Sequence, residues 1–134
     1  MFLQPNSSKF KKTKKGTLSK FEFKSNKLKQ GTIGLKCMES GIITARQLEA
    51  ARQAIMRKMN RKGKLWIRVY PYLPITSKPS EVRMGKGKGT VNHWAARVSA
   101  GQVLFEVCGV DLNTVKSAFR TGGAKLPVKV LLFY

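Results

Sequence analysis

The sequence predicts an α+β fold, a two-layer sandwich of mainly antiparallel strands with two helices. Three observations carry this. Two stretches repeat apolar residues at helical spacing and each begins at a capping residue. Several others alternate apolar and polar residues at the strand period. The strands also follow one another between the helices instead of alternating singly with them, which favours antiparallel pairing over a βαβ parallel sheet. A chain of 134 residues can bury roughly two-thirds of its unfolded surface, enough for one domain with a real core.

The elements follow in chain order. Residues 1–30 read as a basic arm. Lys9, Lys11, Lys12, Lys14 and Lys15, then Lys20, Lys24, Lys27 and Lys29, stand against one acid, Glu22. A solvated tail accounts for the lysines but gives no use for Phe10, Phe21 and Phe23. The arm is therefore expected to order on a phosphate surface. Residues 31–134 read as a single globular domain, beginning with a strand in "GTIGLKCMES".

"ITARQLEAARQAIMRKMNRKG" is the clearest helix. Thr44 and Gln47 form a capping box, Ile43 can staple onto Leu48, and Gly63 is placed to end the element. Leu48, Ala51, Ile55 and Met59 share one face. Arg46, Arg57 and Arg61 fall opposite. They read either as a solvated surface or as an unpaired arginine stripe that contacts phosphate, and the stripe is favoured.

"KLWIRVYPY" alternates strictly. Leu65, Ile67 and Val69 point one way, and Trp66, Arg68 and Tyr70 the other. That second face either stacks and pairs with RNA, with Arg68 on phosphate, or packs under another layer. Pro71, Pro74 and Pro79 then suggest a rigid extended loop at about 71–92. "HWAARV" and "VLFEVCG" read as a hairpin through "SAGQ". "DLNTVKSAFRTGG" is a second helix, capped by Asp111, with Leu112, Val115 and Phe119 inward and Gly122 and Gly123 as its stop. A last strand, "VKVLLFY", follows Pro127.

The charge narrows the function classes. Lys plus Arg number 27 against 6 Asp plus Glu, a net +21. Such an excess needs a polyanion, nucleic acid first and an anionic membrane second. No apolar run approaches the roughly 18 residues of a membrane span. The N-terminus lacks the apolar stretch of a secretion signal and the arginines of a transit peptide, so the chain is expected to work where it is made. Cys37 and Cys108 have no CxxC partner and read as small buried apolar residues.

"EVRMGKGKGTVNHW" holds the densest signal. A nucleotide P-loop needs GxxxxGK[ST], but Lys86 and Lys88 are each followed by Gly. A dinucleotide loop needs GxGxxG, but Gly85, Gly87 and Gly89 give GxGxG. A plain turn would not need the lysines. An RNA-contacting loop uses every residue: glycines let backbone N–H groups approach phosphate, lysines bring charge, and Arg83 offers a planar fork. Catalysis finds little footing, since His93 is the sole histidine and stands beside Trp94 with no carboxylate nearby in sequence. One His and two separated Cys do not make a zinc site. No metal, cofactor or small-molecule substrate is expected. The rival readings are a nucleotide-dependent RNA-modifying enzyme and a general nucleic-acid-compacting protein.

"RMGKGKG" at 83–89, with Trp94 beyond it, "RKGKLWIRVYP" at 61–71, "ITARQLEAAR" and the early "LQPNSSKFKK" resemble the motifs of the bacterial-type large-subunit ribosomal protein sixteen family. The resemblance implies an α/β-hammerhead fold and a structural role in the ribosome. It implies binding to large-subunit rRNA near the tRNA A and P sites, among neighbouring large-subunit proteins. Arg83, Met84, Gly85, Lys86, Gly87, Lys88 and Gly89 would point toward the peptidyl-transferase centre, close to tRNA. "PSEVRMGKGKG" and "WAARVSAGQVLFEVCGV" look closer to mitochondrial members, implying a mitochondrial ribosome, with a bacterial cytoplasm or a plastid as alternatives.

Overall fold

Alternation and capping decide most of the elements in a computed structural model, which describes residues 3–18 and 21–134. Lys20 of the arm lies outside the described residues. The order is β1 (Ile33–Cys37), β2 (Gly41–Thr44), α1 (Ala45–Lys58), β3 (Lys64–Ile67), β4 (Leu73–Ser77), β5 (Thr90–Val98), β6 (Val103–Cys108), α2 (Leu112–Gly123) and β7 (Val130–Phe133).

The strands form two sheets, one ordered β3-β6-β1-β7 and the other β2-β5-β4, and every pairing is antiparallel. The helices pack on each other, α1 also against β2 and β5 and α2 against β1 and β7. The architecture is α+β with helices laid on antiparallel sheets. β1 and β6 are central strands and are buried on both faces, which explains why β1 alternates only loosely. The core runs from Leu35 and Phe105 through Ile43, Leu48, Ile55 and Met59 to Val115 and Phe119. Each such side chain contributes roughly 1.5–3 kcal/mol on leaving water.

α1 starts as its sequence requires. The Thr44 hydroxyl accepts the Gln47 N–H at 3.2 Å, and the Gln47 side chain accepts the Thr44 N–H at 2.9 Å. Ile43 and Leu48 are both fully buried beside that cap. The helix ends earlier than Gly63. Asn60 and Arg61 take left-handed φ values of 51° and 58°, and the Arg61 N–H closes on the Met56 carbonyl at 3.0 Å. Asn tolerates that region through its short polar side chain, so the stop precedes the glycine. In α2, Asp111 caps through the Asn113 N–H, while Leu112 lies exposed rather than inward. Gly122 and Gly123 do not stop the helix either. They belong to it, and Ala124 is the C-cap.

Two connections differ from the sequence expectation. Leu73–Ser77 is a strand despite Pro74, because β4 is the edge of its sheet and a missing ladder donor is tolerated there. The loop therefore shrinks from 71–92 to the 78–89 tip of the β4–β5 hairpin. β5 and β6 are not a hairpin: β5 pairs with β2 and β4, β6 with β1 and β3. The turn between them holds to the end of β1 instead, with the Gly101 N–H on the Cys37 carbonyl at 2.7 Å and the Cys37 N–H on the Gln102 carbonyl at 2.8 Å.

Candidate nucleic-acid interface

The β4–β5 ladder carries the loop outward from the Ser77–Thr90 pair. At its base, a Cβ on Gly89 would strike the Ser77 carbonyl, so the two strands cross there only with glycine. At its tip the glycines serve another purpose. Gly85, Lys86 and Gly87 have φ values of 91°, 52° and 89°, and nothing lies within 4 Å of a Cβ built on Gly85 or Gly87. Gly85 and Gly87 supply two of three successive left-handed residues, which bend the tip tightly without steric penalty at either glycine. Lys78 donates to the Gly85 carbonyl and steadies the bend. Residues 81–88 are exposed throughout, with Met84 at 93%.

The arm meets this loop. Lys12 Nζ donates to the Lys88 carbonyl at 2.8 Å, and Lys88 Nζ donates back to the Thr13 carbonyl at 2.5 Å. Arg97 on β5 holds the Lys14 carbonyl at 2.6 Å. Lys9, Lys11, Lys12, Lys14 and Lys15 are all exposed, so one cationic surface joins residues 9–15 to 83–89. Phe10, Phe21 and Phe23 are exposed as well.

The other expected contacts divide. Arg46 is exposed at the start of α1, in a shallow pocket of about 440 Å³ with Leu3, Asn92, His93 and Trp94. Arg57 and Arg61 lie near the far end of α1, lining a groove of about 650 Å³ with Arg52, Gln53, Met56 and Asn60. Eleven residues of helix, about 17 Å, separate Arg46 from Arg57 along α1, and the two line separate hollows. Glu49 stands three residues from both Arg46 and Arg52 and goes to Arg52 at 2.7 Å. The Arg52 hydrogen bond holds the Glu49 carboxyl below its ordinary range. Among the described residues, Arg46, Arg57 and Arg61 make no ion pair.

Arg68 turns the other way. Its side chain is only 13% exposed and its guanidinium pairs with the carboxylate of the fully buried Glu106 side chain, so it is an interior group and not a phosphate-facing one. The pairing joins residues 38 positions apart, which no local pattern reveals. Sequence reasoning also passed over Arg97 and Lys78. The alternation of "HWAARV" was the available signal for Arg97; nothing local marks Lys78.

The acids are occupied elsewhere. Glu22 accepts the Lys24 and Ser25 N–H groups, Glu39 pairs with Lys129 at 3.0 Å, Glu49 takes Arg52, Glu106 takes Arg68 and Asp111 caps α2. Of the six acids, only Glu81 lacks such a bond among the described residues. The lysine surface therefore faces outward with almost no internal neutralisation. Among the described residues no three His, Cys, Asp or Glu side chains gather to hold a metal, and no helix is long and apolar enough to cross a membrane.

The sequence pattern of the family described as Ribosomal protein L16p/L10e matches residues 5–132. The chain belongs to this family. A protein of Bartonella bacilliformis named "Large ribosomal subunit protein uL16" is 54% identical over 127 residues, covering 95% of this chain and 93% of the relative. Proteins of the same name from Methylorubrum extorquens, at 54%, and Bartonella henselae, at 51%, cover the same shares. As an L16p/L10e family member, the chain carries both motif stretches, 61–71 and 83–89, inside the matched span. In this structure they lie on either side of β4 along the chain: one leads out of α1 and through β3, the other belongs to the hairpin tip.

Proposed function

We propose that the chain is a structural constituent of the large ribosomal subunit, binds its rRNA, and supports subunit assembly and tRNA positioning. The role is architectural and not catalytic. The observation that carries it is the hairpin tip: three left-handed residues in a row with Lys86 in their middle and Lys88 after them, exposed, and clasped by a lysine arm. Family membership and the printed name of the bacterial relatives support the ribosomal assignment.

Binding is electrostatic positioning. Lysines neutralise phosphates and release counterions, and the exposed glycines of the tip let its backbone come close to sugar–phosphate oxygens. At the finer level, residues 83–89 face tRNA near the A and P sites and the peptidyl-transferase centre, while residues 9–15 with Arg46, Arg57 and Arg61 hold rRNA. The spread of these residues from the hairpin tip to the far end of α1 supports contacts to more than one RNA segment. The chain's ribosome is of the bacterial type, and its similarity to mitochondrial members favours the mitochondrion; the bacterial relatives favour a bacterial cell as the second reading.

Sedimentation tests the role directly. Tagged protein expressed in its own cell should travel with the large subunit through a sucrose gradient and leave it in high salt. Protein found only at the top of the gradient, under low-salt conditions, would refute the assignment. Localising the same tag separates the two compartments.

A further inference from the structure

Glu106 is fully buried and charged, and phosphate binding gives it no task. It sits on β6, opposite Gly34 of β1 and Trp66 of β3. Its carboxylate accepts the backbone N–H groups of Lys29 at 3.2 and 3.3 Å, Gln30 at 2.8 Å and Gly31 at 2.8 Å, and Arg68 closes the set as counter-ion. Three successive amides at the root of the arm thus converge on one carboxylate. Gly31 is part of the fit, because a Cβ there would lie 2.7 Å from Glu106 Cβ and 2.8 Å from the Val107 nitrogen.

The same seam continues on both sides. Downstream, the Thr32 N–H donates to the Val107 carbonyl at 3.0 Å; upstream, the Val103 N–H donates to the Ser25 carbonyl at 3.0 Å and the Glu22 N–H to the Ala100 carbonyl at 2.9 Å. Residues 22–32 therefore run beside 100–107, and the charged anchor lies where they enter the first strand. We infer that Glu106 is a positioning residue for RNA binding: with Arg68 as its counter-ion it pins the root of the arm, so that the arm's lysines meet the polyanion as a fixed array. This rests on the RNA reading above.

The physical reason is entropy paid in advance. Charge-assisted N–H···O⁻ bonds are roughly twice as strong as neutral ones. A segment ordered before binding does not lose its backbone freedom at the moment of binding. Removing Glu106 alone would leave the Arg68 charge buried and unpaired, which confuses anchoring with folding. The informative variant is the pair Glu106→Gln with Arg68→Met in the full chain, which removes both charges and keeps the volume.

Hydrogen exchange is read at Lys29, Gln30 and Gly31 and at the β6 amides, and binding is measured with purified bacterial large-subunit rRNA. The expected result is exchange about tenfold faster at residues 29–31 with β6 unchanged, the equivalent of one lost charged hydrogen bond. A similar drop in rRNA affinity should accompany it. Wild-type protection at residues 29–31, or loss only in step with β6, overturns the inference; so does full rRNA affinity with the arm's root released. Gly31→Ala supplies a second route if the double variant does not fold, since it pushes the root away and leaves the Glu106–Arg68 pair in place; the same outcomes decide. Wild-type protein that does not bind rRNA would instead sink the RNA reading and, with it, the functional half of the inference, while exchange still decides the anchor.

Discussion

Gly122 shows how little room single residues have in this fold. It lies inside α2 against α1, where a Cβ would strike the Ile55 side chain and sit 3.3 Å from the Ala51 carbonyl. Gly122→Ala should cost about 1–3 kcal/mol, as overpacked cores do, despite alanine's better helix propensity; denaturant unfolding would check it. The sequence suggested a helix stop at this glycine, because spacing alone does not distinguish a terminator from a close helix crossing. Cys37 was legible as a buried apolar residue, and it is fully buried, with its thiol donating to the Glu39 carbonyl at 2.7 Å. Burial pushes this thiol above its ordinary value of 9.0. The unfolded chain then gives up the proton first, so stability should fall as pH rises past about 9. Cys37→Ser titrated beside the wild type would show whether that slope belongs to this residue. The Arg68–Glu106 pair was illegible for a different reason. An ion pair across 38 positions is a property of sheet register, and alternation shows only that Arg68 differs in facing from Ile67 and Val69.

At the scale of elements, period and caps were reliable guides where a segment is amphipathic. α1 and its capping box follow the pattern of their residues, and α2 follows it at Asp111, Val115 and Phe119 though not at Leu112 or its end. Short or irregular strands were not. β2 has four residues merged into the entry of α1, and β4 hides behind Pro74, which is tolerated only because nothing pairs on its outer side. The β5–β6 turn has hairpin chemistry, yet its strands part into different sheets. Partner choice depends on which faces the helices cover, and that is not written in the turn. The loop itself was read correctly in composition and too broadly in extent. Its tip makes no core contact, so Lys86→Ala with Lys88→Ala should leave the melting temperature nearly unchanged. The same pair should lower the slope of log affinity against log salt by about 1–2, as expected for lost phosphate contacts. A large fall in melting temperature with normal rRNA binding would make the lysines structural.

For the whole molecule, the net charge of +21 is the dominant physical fact, and the sequence alone was enough to see it. What the sequence could not show is how the charge is arranged. The acids are spent on caps, ion pairs and the root of the arm, and the arm is laid along β6 and across to the loop, so the cations project outward from a fixed frame. If six to ten of them reach phosphate, rRNA affinity should drop by about 10³- to 10⁵-fold between 50 and 200 mM salt. A filter-binding series across that range would measure it, and a flat response would contradict the electrostatic account.

The order β3-β6-β1-β7 has a bearing on how the protein comes off its own assembly line. β1 is the earliest strand, and its two neighbours arrive late: Gly34 waits for Glu106 on one side and for Phe133 on the other. The central sheet is thus sealed only when Val130–Phe133 has left the exit channel, and until then α1 carries its apolar face without a finished floor beneath it. A growing chain of this charge and this unfinished core should stay bound to a chaperone or to RNA until β7 has emerged, and ribosomes stalled before Val130 should display a protease-sensitive nascent protein.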